Sequence, residues 1–212
     1  MKSERESLLE MIALNRELAE KGYAPASGGN SSIRVAEGVL ITRSGCVLKS
    51  LTIQDFVSVN ESGEAVSGNV KPSKEVRFHL AIYRRNPKVN AVFHFHPPHC
   101  IAAGSLLPEG EDPIPAMVPY YVMRVRGAIS LPYAPPGSAE LFESIDRAAA
   151  GHQVIFLRNH GLVCSGETVL AAAQAVEETE ENARIFLLTG GRGTPLSQEQ
   201  CQWLKEKYWT RE

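Results

Sequence analysis

His94 and His96 stand one residue apart in Ala91-Val-Phe-His-Phe-His-Pro-Pro-His-Cys100, an apolar run of strand character. Successive side chains of a strand alternate faces, so the two imidazoles share a side while Phe93 and Phe95 turn to the other. Such a pair is a clamp for a metal ion, and a third ligand completes it. Catalytic zinc takes three protein ligands and keeps a fourth position for water or substrate. His160 is the candidate, at the end of the buried-strand run Val154-Ile-Phe-Leu-Arg-Asn-His-Gly161. Gly161 behind it marks a sharp exit where backbone must come close to something. Glu75, in Lys71-Pro-Ser-Lys-Glu75, lies upstream on the first turn of an expected helix. A lone acid there is most often just a partner of the helix dipole. Beside metal ligands it is placed to act as a base, and one base with one Lewis acid suffices for enediolate chemistry.

The elements that must position these groups follow from periodicity. Leu8, Leu9, Ile12, Ala13 and Leu18 recur at helical spacing over residues 3–21, and Gly22 ends that helix. Ser27-Gly-Gly-Asn-Ser-Ser32 leads into a strand near 31–36, a turn at Glu37-Gly38 and a strand Val39–Thr42, which read as a hairpin. A strand is expected over 56–60 and a helix over 73–85, capped by Ser73 and closed before Pro87. The histidine strand spans 90–96. Further strands are expected at 128–131 and 153–157, with helices near 138–149, 167–189 and 197–208. Hairpins interspersed with helices predict an α/β layered domain with a mainly antiparallel sheet. The 212 residues fit one domain, 1–212.

Composition narrows the function. Lys and Arg total 22 against 24 Asp and Glu, giving a net charge of -2 with no basic patch, so neither nucleic acid nor an anionic membrane is an expected partner. No apolar run approaches the roughly 20 residues that span a bilayer, and Met-Lys-Ser-Glu-Arg-Glu is too polar for a secretory signal. Cys46, Cys100, Cys164 and Cys201 lie far apart, as reduced thiols do. A cytoplasmic protein acting on a small molecule is expected. Three small-residue loops, Ser27–Ser32, Ser44-Gly45 and Ser73-Lys74, offer backbone N–H groups and hydroxyls to a phosphate. Each alone is ordinary turn chemistry, and no Gly-Lys-Ser phosphate loop or strand-linked Gly-x-Gly-x-x-Gly accompanies them. His79, four residues after Glu75, is placed to hydrogen-bond behind the site. His99 follows two prolines that redirect the chain, and His152 reads as a surface group. The run Glu177–Glu181 reads as a solvated helix face. Tyr120-Tyr-Val-Met-Arg124 holds two phenols and a guanidinium, by default packing and surface groups, although a Tyr can donate a proton and an Arg can bind a carboxylate through two hydrogen bonds.

Ser-Gly-Gly-Asn-Ser, Thr42-Arg-Ser-Gly45, Lys71-Pro-Ser-Lys-Glu75, His94-Phe-His96 and Asn159-His-Gly161, in this order and at these intervals, together resemble the class II aldolase/adducin family across nearly the whole chain. The resemblance implies a three-layer αβα fold and a homotetramer with active sites between subunits. It implies that His94, His96 and His160 hold Zn2+ or another divalent metal and that Glu75 is the acid/base. Gly29, Asn30, Ser44, Gly45, Ser73 and Lys74 would fall on the substrate-phosphate loops. Tyr120 or Tyr121 would be the proton donor supplied by a neighbouring subunit. The fuculose-1-phosphate aldolase branch carries Pro-Ser-Ser-Glu where this chain has Pro-Ser-Lys-Glu. The Tyr-Tyr-Val-Met-Arg segment is similar to the 3-oxo-tetronate 4-phosphate decarboxylases. Both departures add positive charge, at Lys74 and Arg124, which suits a sugar acid carrying a carboxylate as well as a phosphate. The expected function is therefore decarboxylation to dihydroxyacetone phosphate through a metal-bound enediolate, with retro-aldol cleavage of a ketose phosphate as the alternative. The epimerase branch differs at the acid, where it has Asp. A non-catalytic scaffold of the adducin kind would lack the histidine set.

Overall fold

The computed structural model describes residues 2–209. Helix α1 (Glu4–Glu20) opens on a capping box, with Ser3 accepting from the Glu6 N–H while the Glu6 side chain accepts from Ser3. Strands β1 (Asn30–Val35), β2 (Gly38–Thr42) and β3 (Phe56–Val59) form an antiparallel meander. Helix α2 (Val76–Arg85) leads to β4 (Ala91–Phe95), followed by α3 (Pro98–Leu106), the two-residue β5 (Gly110–Glu111), α4 (Pro119–Arg124) and β6 (Ala128–Leu131). Helix α5 (Ala139–Ala148), the hairpin β7 (Val154–Leu157) and β8 (Gly161–Gly166), α6 (Val169–Leu188) and α7 (Gln198–Tyr208) complete the chain. Among the described residues eight strands join one sheet in the order β3-β2-β1-β4-β8-β7-β6-β5, in which only β6 and β7 run parallel.

Strand parity divides the core. Ala91, Phe93 and Phe95 of β4 pack in the cluster that includes residues of α1, α3, α4 and α6, whereas Val92 packs with α2 and α5. Three layers result, α on β on α, with His94 on the α2 side. The strands at the centre, β4, β7 and β8, are buried along their full length. No helix among the described residues is long and apolar enough to cross a membrane.

The structure departs from the sequence expectations in several places. Helix α2 starts at Val76 with Glu75 as its N-cap residue, not Ser73. Residues 71–73 are held extended against β2, with Ser44 N–H donating to Lys71 O (2.9 Å) and Ser73 N–H to Thr42 O (3.0 Å), so the chain turns helical only afterwards. Gly161 does follow a sharp turn and lie close against other backbone, but it is also the first residue of β8, a strand not anticipated. His152 is mostly covered, its side chain 16% exposed, and its Nδ1 donates to Ala148 O at the end of α5.

The acidic run on α6 is also not simply solvated: Glu180 is buried, 2% exposed. Its carboxylate accepts from the His99 N–H (3.1 Å), the Cys100 N–H (2.8 Å) and His99 Nδ1 (2.7 Å). Those N–H groups belong to the first turn of α3 and have no acceptor within the helix, so Glu180 caps α3 from across the core. Replacing Glu180 with alanine strips both backbone donors and is expected to cost about 2 to 3 kcal/mol, read as a lower urea midpoint at unchanged slope. A midpoint equal to the parent's would show that water serves α3 as well as the carboxylate does.

Candidate active site

Three segments bring the histidines together. His94, near the end of β4, sits opposite Asn30 of β1 and Val163 of β8. Its Nδ1–H donates to Leu162 O at 3.1 Å, which fixes the tautomer and leaves the Nε2 lone pair free. His96 lies just past the strand, anchored by its N–H to Tyr23 O at 2.8 Å. His160 is in the tight β7–β8 turn, where Asn159 takes φ 56. Gly161 is required beside it: a Cβ there would stand 2.5 Å from Phe95 O and 2.7 Å from His96 Cδ2.

One nitrogen of each ring lies within 4.8 Å of the other two. The Nε2 atoms of His94 and His96 are 3.1 Å apart, close to the roughly 3.3 Å edge of a tetrahedral site built on zinc–nitrogen distances of about 2.0 Å. Burial holds the His94 imidazole down to about 3 and, with His94 and His160 beside it, the His96 imidazole down to about 4. Burial also lowers His160, against the pull of Glu75. Neutral rings are the ligand form. His160 Nδ1 is buried without a hydrogen-bond partner among the described residues. Three neutral, convergent imidazoles fit a divalent metal.

Glu75 faces this group. Its Oε2 is 3.4 Å from His94 Nε2 and its Oε1 3.8 Å from His160 Nε2, while Asn30 Nδ2 donates to Oε2 at 2.7 Å. His79 is fully buried behind it, with Nε2 2.5 Å from Asn30 Oδ1 and Nδ1 2.8 Å from Ser32 Oγ, and burial keeps it neutral.

A cavity of about 560 Å³ opens in front of Glu75, His96 and His160. Gly29, Asn30, Ser44, Gly45, Ser73 and Lys74 all line it. The extended pairing of residues 71–73 with β2, including an Arg43–Pro72 bridge, lays the second and third loops side by side. The first loop is pressed onto β4, where Gly29 (φ 82) would place a Cβ 2.7 Å from His94 O. The cavity also receives Arg43 and the Pro136-Gly137 turn, which the sequence reading passed over. Their signals were a cation inside Thr42-Arg-Ser-Gly45 and the loop-forming Pro135-Pro-Gly137. Arg43 Nε donates to Asp55 Oδ1 at 2.8 Å, yet 41% of the side chain stays exposed.

Tyr120, Tyr121 and Arg124 are elsewhere. All three lie on α4, and none of them lines the cavity. Tyr121 is enclosed in the core, where burial pushes its phenol well above its ordinary range, whereas Tyr120 is 57% exposed and Arg124 is exposed one helical turn on.

Residues 9–187 match the Class II Aldolase and Adducin N-terminal domain. The chain is 39% identical over 196 residues to a 3-oxo-tetronate 4-phosphate decarboxylase of Pectobacterium atrosepticum, covering 91% of this chain and 88% of that one. It is 33% identical over 200 residues to an L-fuculose phosphate aldolase of Escherichia coli, covering 92% and 90%. The crystal structure of YgbL from Klebsiella pneumoniae superposes with a TM-score of 0.89 at 34% identity, over 96% of this chain and 100% of that one. An L-fuculose 1-phosphate aldolase structure superposes at 0.83 with 26% identity, over 99% and 98%. With the family domain spanning most of its length and its relatives aligned nearly end to end, this chain belongs to the class II aldolase and adducin family.

Proposed function

We propose that the protein is a zinc-dependent carbon–carbon lyase that decarboxylates a 3-oxo-tetronate 4-phosphate to dihydroxyacetone phosphate. One observation carries the substrate choice: Lys74 and the half-exposed Arg43, whose Nε is held by Asp55, flank the small-residue loops in the same cavity as Glu75, His96 and His160, which suits a substrate with two anionic ends. The decarboxylase relatives, 37–39% identical, support the same choice.

His94, His96 and His160 would hold the metal, which supplies a Lewis acid for oxyanion charge developing on the substrate. The loops around Gly29, Ser44, Gly45 and Ser73 bind the phosphate through N–H and hydroxyl donors, and Lys74 and Arg43 hold the acid end in register. Loss of carbon dioxide leaves its electron pair with the ketone, and the carbon left behind must take up a proton. Glu75, 3.4 to 3.8 Å from two of the imidazoles, is the group that carries it. We assign the further donor to Tyr120 of a neighbouring subunit in a homotetramer. Its exposure on α4 beside Arg124 supports that role, and the enclosure of Tyr121 argues against the alternative. The chain is taken as one domain, because a single sheet carries every described strand, and as cytoplasmic, in keeping with four free cysteines. Retro-aldol cleavage of a ketose phosphate is the second reading, supported by the L-fuculose phosphate aldolase relatives.

A coupled assay for dihydroxyacetone phosphate on zinc-loaded protein separates the two. Formation from 3-oxo-tetronate 4-phosphate with release of carbon dioxide is expected, and formation solely from fuculose 1-phosphate with an aldehyde co-product would overturn it. His96→Ala should lose both metal and activity. Glu75→Gln should keep its metal and lose turnover by at least about 100-fold, the lower end of general acid–base contributions. Full activity in the Gln variant would sink the base assignment.

A further inference from the structure

Behind Glu75 and Asn30 runs a file of buried polar side chains, Ser32, His79 and Tyr83, that neither line the cavity nor belong to the three-histidine group. Glu75, His79 and Tyr83 recur every four residues at the start of and along α2, and Asn30 and Ser32 alternate on the facing side of β1. Four residues of helix rise about 6.0 Å and two of strand about 6.6 Å, so the two sets interleave like teeth. The contacts follow in sequence. Tyr83 Oη lies 2.8 Å from Ser32 Oγ, Ser32 Oγ 2.8 Å from His79 Nδ1, His79 Nε2 2.5 Å from Asn30 Oδ1, and Asn30 Nδ2 2.7 Å from Glu75 Oε2. Ser32 and His79 have no exposed surface, and Tyr83 and Asn30 have almost none.

The direction of every bond in this file is set from its Glu75 end. A carboxylate only accepts, so the Asn30 amide must turn its Nδ2 to Oε2 and its Oδ1 to His79. His79 must then donate from Nε2. A neutral ring that donates from Nε2 accepts at Nδ1, so the Ser32 hydroxyl spends its hydrogen there. The Ser32 oxygen in turn accepts from Tyr83. Burial raises the Tyr83 phenol, which keeps that last donor protonated. Reversing any one bond would turn the Asn30 carbonyl onto the carboxylate. A core needing only volume would be filled by apolar side chains, with no buried polar groups to satisfy.

We propose that Tyr83, Ser32 and His79 are positioning residues for the reaction, a one-way hydrogen-bond chain that locks Glu75 Oε2 and reserves Oε1 for the moving proton. This rests on Glu75 as the acid/base of the proposed function. With Oε2 occupied by Asn30, the unengaged oxygen is the one 3.8 Å from His160 Nε2. The chain acts on the rate of proton transfer: Tyr83, Ser32 and His79 do not line the cavity and are not among the three candidate ligands, and they reach the site through Asn30 and Glu75. Its loss therefore lowers kcat and spares KM and metal content.

Two measurements test it. In the first, Ser32→Ala, His79→Leu, His79→Gln and Glu75→Gln are assayed as zinc-loaded proteins with 3-oxo-tetronate 4-phosphate. Ser32→Ala and His79→Leu should lose about 10- to 100-fold in kcat, the range for groups that orient metal-site residues, with KM within about twofold and metal retained. His79→Gln, whose amide can donate where Nε2 does, should recover most of the loss. In the second, long-range nitrogen–proton correlation on wild-type protein should show His79 protonated at Nε2 and bare at Nδ1. Parent-like kcat in Ser32→Ala and His79→Leu while Glu75→Gln is inactive would remove the chain alone. A His79→Gln variant no better than His79→Leu, or a ring protonated at Nδ1, would do the same. Full turnover in Glu75→Gln would instead remove the base, and the chain with it.

Discussion

The pairing of β4 with β8 is the constraint on which the site depends. It places His94 opposite Val163, gives the His94 Nδ1–H a carbonyl on Leu162, and brings the β7–β8 turn with His160 back over the end of β4. The approach is so close that only glycine is tolerated at position 161. Both strands are buried along their full length, so a slip of one residue would turn Phe93 and Phe95 out of their cluster and His94 into it. The hydrophobic effect thus enforces the register, and the register aims the imidazoles.

The same economy holds around the carboxylate. Glu75 is not in a regular helical turn but at the hinge between an extended segment paired with β2 and the start of α2. The extended side supplies Ser73 and Lys74 to the cavity and the helical side supplies His79 and Tyr83 to the core behind. One residue therefore faces the cavity, the three imidazoles and a buried hydrogen-bond file together. On the other flank, Glu180 caps α3 and so anchors the chain just after His96-Pro97.

Much of this was legible in the sequence because it is local. The alternation of Phe93, His94, Phe95 and His96 gave the faces of β4, and the spacing of Glu75 and His79 placed the second histidine behind the site. What escaped was either tertiary or masked by proline. Helices α3 and α4 both begin with proline, at Pro98 and Pro119; Pro97-Pro98 reads from sequence as a redirection of the chain, although proline suits the first helical position. Strand β8 is a short apolar run bounded by glycines, without alternation to announce it. The burial of Glu180 depends on a helix terminus some 80 positions away in the chain, and no local pattern encodes that. Arg43 is seen as a cavity residue only once residues 71–73 are laid against β2.

Everything proposed for catalysis turns on the three imidazoles sharing one ion. The direct measurement is anomalous diffraction at the zinc edge from crystals of the protein grown with zinc. A single strong peak about 2.0 to 2.1 Å from one nitrogen each of His94, His96 and His160, beside the Glu75 carboxylate, is expected. Zinc fully occupying another place, with the three rings bare, would contradict it.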